Sequence, residues 1–263
     1  MPAILASVDG RITPADEAVI PATDEGLLRG DGAFEVCRLY GGQPFAMDEH
    51  YLRLQRTAAG LRLPLDVDEL RAEVDALLAA ADEDEGLLRL VVTRGGRRIA
   101  FVETLPQNPP TQSVVTVTYT PTRVLDGLKT LSYAANMLAG RIATERDADE
   151  ALFVTPHGRV LEGPTWSFFW ARDGRLFTPP LEERILDSIT RAHVIRSSEV
   201  EERVTTMDDL RSADEAFIAS TVREVMPISA IDGQPLPAAP GPVTEAAAAA
   251  LRAHLERVLA AAR

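Results

Sequence analysis

The chain has 263 residues, 46% of them hydrophobic, and a formal net charge of −13, which argues against a broad phosphate-binding surface for nucleic acid but not against a small, locally basic pocket. No apolar run reaches the roughly 20 residues that span a bilayer, and Met1 to Gly10 lacks a basic start followed by an apolar stretch. The single cysteine, Cys37, cannot build an internal disulfide and fits a reducing compartment, so a cytoplasmic protein without a membrane partner is expected.

Val8-Asp9-Gly10-Arg11 reads as a hairpin turn between apolar residues. Ala33 to Tyr40 reads as a strand ended by Gly41-Gly42, with Gln43 to Ala46 returning beside it, and Cys37 is expected to be a small core residue. Met47-Asp48 opens a helix whose apolar face would be Leu52, Leu54, Ala58 and Ala59, and Gly60 would end it. A second helix is expected over 67–81, where Leu70, Val74, Leu77 and Leu78 fall at i, i+4, i+7 and i+8. The acidic run Asp82 to Glu85 is a solvated turn. Leu87 to Thr93, Ile99 to Thr104 and Val114 to Thr120 are rich in branched residues and should be strands. Pro106 to Thr111 is a loop.

A linker over 120–127 would divide a smaller domain over 1–119 from a larger one over 128–263. A helix is expected from Tyr133 to Glu145. Strands return at Glu150 to Thr155, Arg159 to Glu162, Trp166 to Ala171 and Arg175 to Phe177, with turns at His157-Gly158 and Asp173-Gly174. Ser188 to Ser198 reads as helix, Ala216 to Ser220 and Met226 to Ile231 as strands, and Thr244 to Ala262 as a long alanine-rich helix packed outside the second lobe. The class is α+β, with two lobes that each mix sheet and helix.

One count stands apart. Lysine and arginine total 27, yet the only lysine is Lys129. Arginine replaces lysine on a solvated surface at little cost. It cannot do so where a neutral amine must attack a carbonyl, because guanidinium keeps its proton. A chemical role for Lys129 and a chance survivor on the surface are both open at this point.

Several strings then resemble one family in order along nearly the whole chain. They are RGDGAFEVCRLYGG (Arg29 to Gly42), DEHYLRL (Asp48 to Leu54), LKTLSYAANMLA (Leu128 to Ala139), GRVLEGPTWSFF (Gly158 to Phe169), FTPPLEERILDSITR (Phe177 to Arg191) and STVREVMPI (Ser220 to Ile228). Together they resemble the class IV aminotransferases, the fold-type IV pyridoxal phosphate enzymes. That group includes D-amino acid and branched-chain aminotransferases and aminodeoxychorismate lyase.

The resemblance implies pyridoxal 5′-phosphate as cofactor and Lys129 as the Schiff-base lysine, desolvated by Leu128 and Leu131. Glu162 would face the pyridine nitrogen. Arg53, the amides of Ile189 and Thr190 at a helix start, and Thr221 would hold the phosphate, with Tyr133 near the lysine. His50 is expected to be structural. Arg29, Arg89, Arg97, Arg98 and Arg223 are candidates to grip a substrate carboxylate, most of them structural, and Phe34 and Val222 are further substrate-lining candidates. No metal ligands are assigned. Two departures matter. Serines stand at 132 and 167 where many members carry asparagine. Thr93-Arg94-Gly95 runs into Gly96-Arg97-Arg98-Ile99 without the histidine that D-amino acid enzymes pair with an arginine.

The leading expectation is a transaminase moving an amino group between an amino acid and a 2-oxo acid, with a D-amino acid or R-amine donor favoured over a branched-chain L-amino acid. The alternative is an aminodeoxychorismate lyase releasing pyruvate and 4-aminobenzoate. A non-catalytic scaffold is the third reading, and loss of the lysine or the glutamate would have favoured it. A homodimer is implied, because such pockets borrow a loop from a second subunit.

Overall fold

The computed structural model describes residues 3–261, and they divide into two compact units. The first begins with a hairpin of β1 (Ala3–Val8) and β2 (Arg11–Pro14), then a short helix α1 (Glu25–Arg29). A second hairpin follows, β3 (Gly32–Tyr40) and β4 (Gln43–Pro44). Helices α2 (Met47–Leu61) and α3 (Val67–Ala81) precede β5 (Glu85–Thr93) and β6 (Arg98–Glu103). The strands form an antiparallel six-stranded sheet in the order β2-β1-β6-β5-β3-β4.

The bounds of α3 are those the periodicity predicts, and Leu70, Val74 and Leu77 are buried against Leu88, Leu90 and Val102 of the sheet. Asp66 caps its start by accepting the amides of Asp68 and Glu69. Helix α2 differs from expectation. Leu52 and Ala59 are exposed, and the buried face carries His50, Arg53 and Thr57 beside Tyr51, Leu54 and Ala58. Nor does Gly60 end it. The helix runs to Leu61 with Arg62 in the left-handed region at φ 56°. The space a Cβ would take at Gly60 is filled by Leu128, whose Cδ2 would lie 2.7 Å from it. That glycine is a packing site rather than a stop.

The second unit begins with β7 (Gln112–Thr118), α4 (Ala134–Glu145) and β8 (Glu150–Val154), in which β7 and β8 pair in parallel. Next come β9 (Arg159–Val160), β10 (Ser167–Arg172), β11 (Arg175–Thr178) and α5 (Ile189–Ser197). The remainder is β12 (Val200–Glu202), β13 (Thr205–Thr206), α6 (Met207–Arg211), β14 (Glu215–Ser220), β15 (Glu224–Ile231), β16 (Gln234–Pro235) and α7 (Pro242–Ala261). Its sheet runs β12-β11-β10-β14-β15-β7-β8-β9-β13, with β16 on β15. Trp170, Phe168, Phe177 and Ile218 fill one core, and Ala139 and Ala143 of α4 pack into another with Phe153 and Leu161.

The division of the chain departs from a linker at 120–127. The first unit takes the residues up to Gln107 together with Leu128–Tyr133, and the second takes Asn108–Gly127 and Ala134–Ala261. Strand pairing is the reason. β7 is held by β8 and β15, so it belongs with the second unit. The segment after Gly127 joins β3, through Phe34 N–H to the Lys129 carbonyl, Leu131 N–H to the Gly32 carbonyl, and a bridge between Ala33 and Thr130.

Candidate active site

The first unit holds the lysine. Lys129 is half-buried, and its backbone is clamped on both sides. Its amide donates to Thr57 Oγ1 at 3.2 Å, and its carbonyl accepts from Phe34 at 3.1 Å. Its Nζ lies 4.2 Å from the centroid of the Phe34 ring and 5.9 Å from that of Tyr133. Those two rings meet edge to face at 5.2 Å and 85°. An amine against aromatic faces is poorly hydrated, and the ring quadrupole attracts its charged form.

Successive strand residues face opposite ways, so Glu35 points away from Phe34, and it is fully buried. Its carboxylate takes the Arg53 guanidinium as a fork, Nε at 2.7 Å and Nη2 at 2.6 Å, and meets His50 Nδ1 at 2.8 Å. His50, Arg53 and Thr57 follow at spacings of three and four on α2, which puts them in one row. Burial pushes the Glu35 carboxyl up, but the Arg53 charge, with the Arg53 and His50 hydrogen bonds, outweighs it and holds the group at about 2. Burial pushes His50 down, and the nearby Glu35 only partly opposes this. Cys37, on the same strand, is buried and donates to the Phe45 carbonyl at 3.0 Å, as a core thiol.

The turn before β3 is tied from another side. Arg94 donates to Asp31 at 2.9 and 3.2 Å and to the carbonyls of Leu61 and Arg62 at 2.7 and 2.6 Å. One guanidinium thus closes the C-terminus of α2 and holds the Gly30–Gly32 turn. Leu131 and Ser132 hydrogen-bond to that same turn.

The second unit holds the carboxylate and the helix start. Glu162 Oε1 accepts the Leu186 amide at 2.9 Å, and the Glu162 carbonyl accepts from Phe153 at 2.9 Å. Burial, with the Glu162 charge nearby, pushes the Tyr119 hydroxyl up. Ser188 caps α5 by accepting the Arg191 amide at 3.3 Å. Ile189 and Thr190 occupy the first two helical positions, whose amides have no acceptor inside the helix. Thr221, Val222 and Arg223 form the turn between β14 and β15, with the Arg223 amide on Ser220 Oγ at 3.2 Å.

All five candidate carboxylate-binding arginines have acidic partners. Arg29 is exposed and pairs with Glu25 at 2.8 Å. Arg89 forks onto Glu103 at 2.8 and 3.0 Å. Arg97 meets Asp9, and Arg98 meets Glu73 at 2.8 Å and Glu69 at 2.9 Å. Arg223 meets Glu150, which also accepts Trp166 Nε1 at 3.0 Å. Arg89 and Arg98 serve the fold, the first joining β5 to β6 and the second joining β6 to α3.

Glu35, Thr57, Arg94 and Glu150 are absent from the residues expected from the sequence. Glu35 alone carries a readable signal, an acid inside the apolar run of a strand. The other three depend on contacts across long sequence separations.

The pattern of amino-transferase class IV matches residues 32–231. A D-alanine aminotransferase of Bacillus licheniformis is 32% identical over 268 residues, 93% of this chain and 94% of that one. A putative branched-chain-amino-acid aminotransferase of Methanocaldococcus jannaschii is 34% identical, with 86% of this chain and 88% of that one aligned. An aminodeoxychorismate lyase of Bacillus subtilis is 30% identical, with 86% of each chain aligned. Among solved structures, a hypothetical aminotransferase from Mycobacterium tuberculosis in its PLP-bound form superposes with a TM-score of 0.87 at 26% identity, covering 95% of this chain and 98% of that one. The chain belongs to the class IV aminotransferase family, with the fold-type IV architecture. It is an enzyme dependent on pyridoxal phosphate.

The residues present fit that cofactor. An amine seated against an aromatic ring suits an aldehyde, a carboxylate fixed by the Leu186 amide suits a protonated ring nitrogen, and amides with no acceptor inside their own helix suit a phosphate.

Proposed function

We propose that the enzyme is a transaminase that moves an amino group between an amino acid and a 2-oxo acid, with Lys129 as its catalytic residue. The observation that carries this is the setting of the chain's only lysine, clamped through its backbone with Nζ 4.2 Å from the Phe34 ring. Bound pyridoxal phosphate supplies an aldehyde that joins amines covalently and a ring that accepts the electron pair left when the substrate Cα loses its proton.

The chain's own residues do the rest. Lys129 Nζ would hold the cofactor between turnovers and, once displaced by the donor amine, would serve as the base that moves the proton between substrate Cα and the cofactor C4′. Glu162, with one oxygen already fixed by the Leu186 amide, keeps the ring nitrogen protonated. Arg53, the Ile189 and Thr190 amides and Thr221 bind the phosphate. Tyr133 lies beside the cofactor. Phe34, Val222 and Arg29, Arg97 or Arg223 line the substrate side.

A D-amino acid or R-amine donor remains the favoured choice, supported by the D-alanine aminotransferases among the relatives. The branched-chain relative stands at a similar identity, so a branched-chain L-donor is its direct competitor. The lyase is the second reading, supported by the Bacillus subtilis relative. A homodimer in the cytoplasm completes the proposal; no described helix is long and apolar enough to cross a membrane.

The test is borohydride fixation followed by a donor screen. Fixation should place the cofactor on the peptide containing Lys129. Bleaching of the visible band by D-alanine, with amino transfer to 2-oxoglutarate, supports the transaminase. Pyruvate release from aminodeoxychorismate without an oxo-acid acceptor, and no bleaching by any D- or L-amino acid, would replace it with the lyase.

A further inference from the structure

We infer that Glu35 is a positioning residue for the cofactor phosphate: its carboxylate, steadied by His50, sets the direction in which Arg53 presents its guanidinium. This rests on the proposed role of Arg53. Glu35 is fully buried, Arg53 is 4% exposed and His50 1%, so all three have left water. A fork at 2.7 and 2.6 Å fixes both the plane and the rotation of the guanidinium. The His50 contact at 2.8 Å holds the carboxylate against rotation in turn. Thr57, on the same row of α2, bonds the Lys129 amide. The row that orients the guanidinium therefore also anchors the lysine.

A buried ion pair is weak evidence of stabilisation, because desolvation cancels much of its attraction, and specificity is one documented reason to keep one. Glu35 has two possible effects on a phosphate, of opposite sign. As a negative charge it repels the ligand, so its removal should tighten binding. As a support for Arg53 it favours binding, so its removal should loosen it. The ideal fork selects the second effect.

The experiment measures pyridoxal phosphate affinity and the phosphorus NMR signal of the bound phosphate for wild type, E35Q, E35D and R53K, with thermal unfolding as a control for folding. E35Q removes the charge and E35D keeps it while shortening the reach. Both should weaken binding about tenfold, the scale on which partners standing behind a ligand-binding group act. Both should displace the phosphorus signal in the same sense as R53K. Affinity equal to or tighter than wild type in either folded variant overturns the inference. If neither folds, H50Q decides: it leaves the fork in place, should weaken binding by no more than about tenfold and should shift the signal, and an unchanged signal overturns the inference. Wild type that binds the cofactor while every Glu35 variant matches it leaves the transaminase proposal standing. Wild type that binds no cofactor brings down both.

Discussion

The indole of Trp166 donates to Glu150 Oε2 at 3.0 Å, and the other oxygen of the same carboxylate takes Arg223. Trp166 closes the turn that follows Glu162, where its carbonyl accepts the Gly163 amide at 2.8 Å. Arg223 ends the turn that carries Thr221. One acid at the start of β8 therefore joins the segment bearing the proposed ring-nitrogen carboxylate to a proposed phosphate turn.

Glu150→Ala should cost about 3 kcal/mol of stability, because it strands a largely buried guanidinium and an indole N–H. Trp166→Phe, which gives up one hydrogen bond but keeps most of the ring, should cost about 1 kcal/mol. Urea denaturation of both variants checks the order. Equal costs would mean that Glu150 holds Trp166 alone.

Gly163 has no room for a side chain. A Cβ there would lie 1.9 Å from Trp166 Cε2. Gly163→Ala must push the indole off its seat and move the neighbouring Glu162. We expect a loss of about 2–3 kcal/mol, in the range of overpacked cores, together with weaker cofactor binding. Unfolding curves and a pyridoxal phosphate titration read the two effects separately, and an affinity that stays at the wild-type value would uncouple Trp166 from the glutamate.

Stability should fall as the solution is acidified, in two stages. Below its ordinary value of 6.5 the unfolded chain protonates His50 while the folded chain resists, so the unfolded state binds more protons. The folded Glu35 carboxyl titrates at about 2 against an ordinary 4.5, so its contribution, present above 4.5, is lost as pH falls from 4.5 through about 2. That second stage amounts to about 3 kcal/mol. Guanidinium unfolding at pH 7, 5 and 3 measures it. E35Q should remove the lower stage, and a wild-type stability that is flat across the series would contradict the assignment.

Because Lys129 is the only lysine, a lysine-specific endoprotease should cut the denatured chain once. Borohydride-fixed cofactor should block that cut. Lys129→Arg keeps a cation over the Phe34 ring and should change stability by no more than about 1 kcal/mol. It should also abolish fixation, since guanidinium does not lose its proton. A fixed cofactor in this variant would show that the aldehyde is captured elsewhere.

The sequence allowed α3 and β3 to be read almost to the residue, because each has a strong period and clear punctuation at its ends. The same rule misjudged α2. A search for apolar spacing finds Leu52 and Ala59, while the face that turns inward carries His50, Arg53 and Thr57, polar groups satisfied by partners on β3 and beside Lys129. Short strands such as β9, β13 and β16 have two residues each and exist by pairing alone. Lys129 is singled out by counting, an argument from chemistry that needs no fold. Glu150 could not be found that way. Its partners lie 16 and 73 residues along the chain, and nothing local marks an acid that opens a strand.

Among the described residues the chain crosses between its units three times, at Gln107, at Gly127 and at Tyr133. A chimera joined at Gly127, where the composition invites a cut, would hand the six residues around Lys129 to the wrong parent. Their hydrogen-bonding companions, Gly32, Phe34 and Thr57, would come from another ancestor. Anyone exchanging halves with a relative to alter donor preference should therefore move Leu128–Tyr133 with the first half, as a separate insert, so that the amine keeps its native seat.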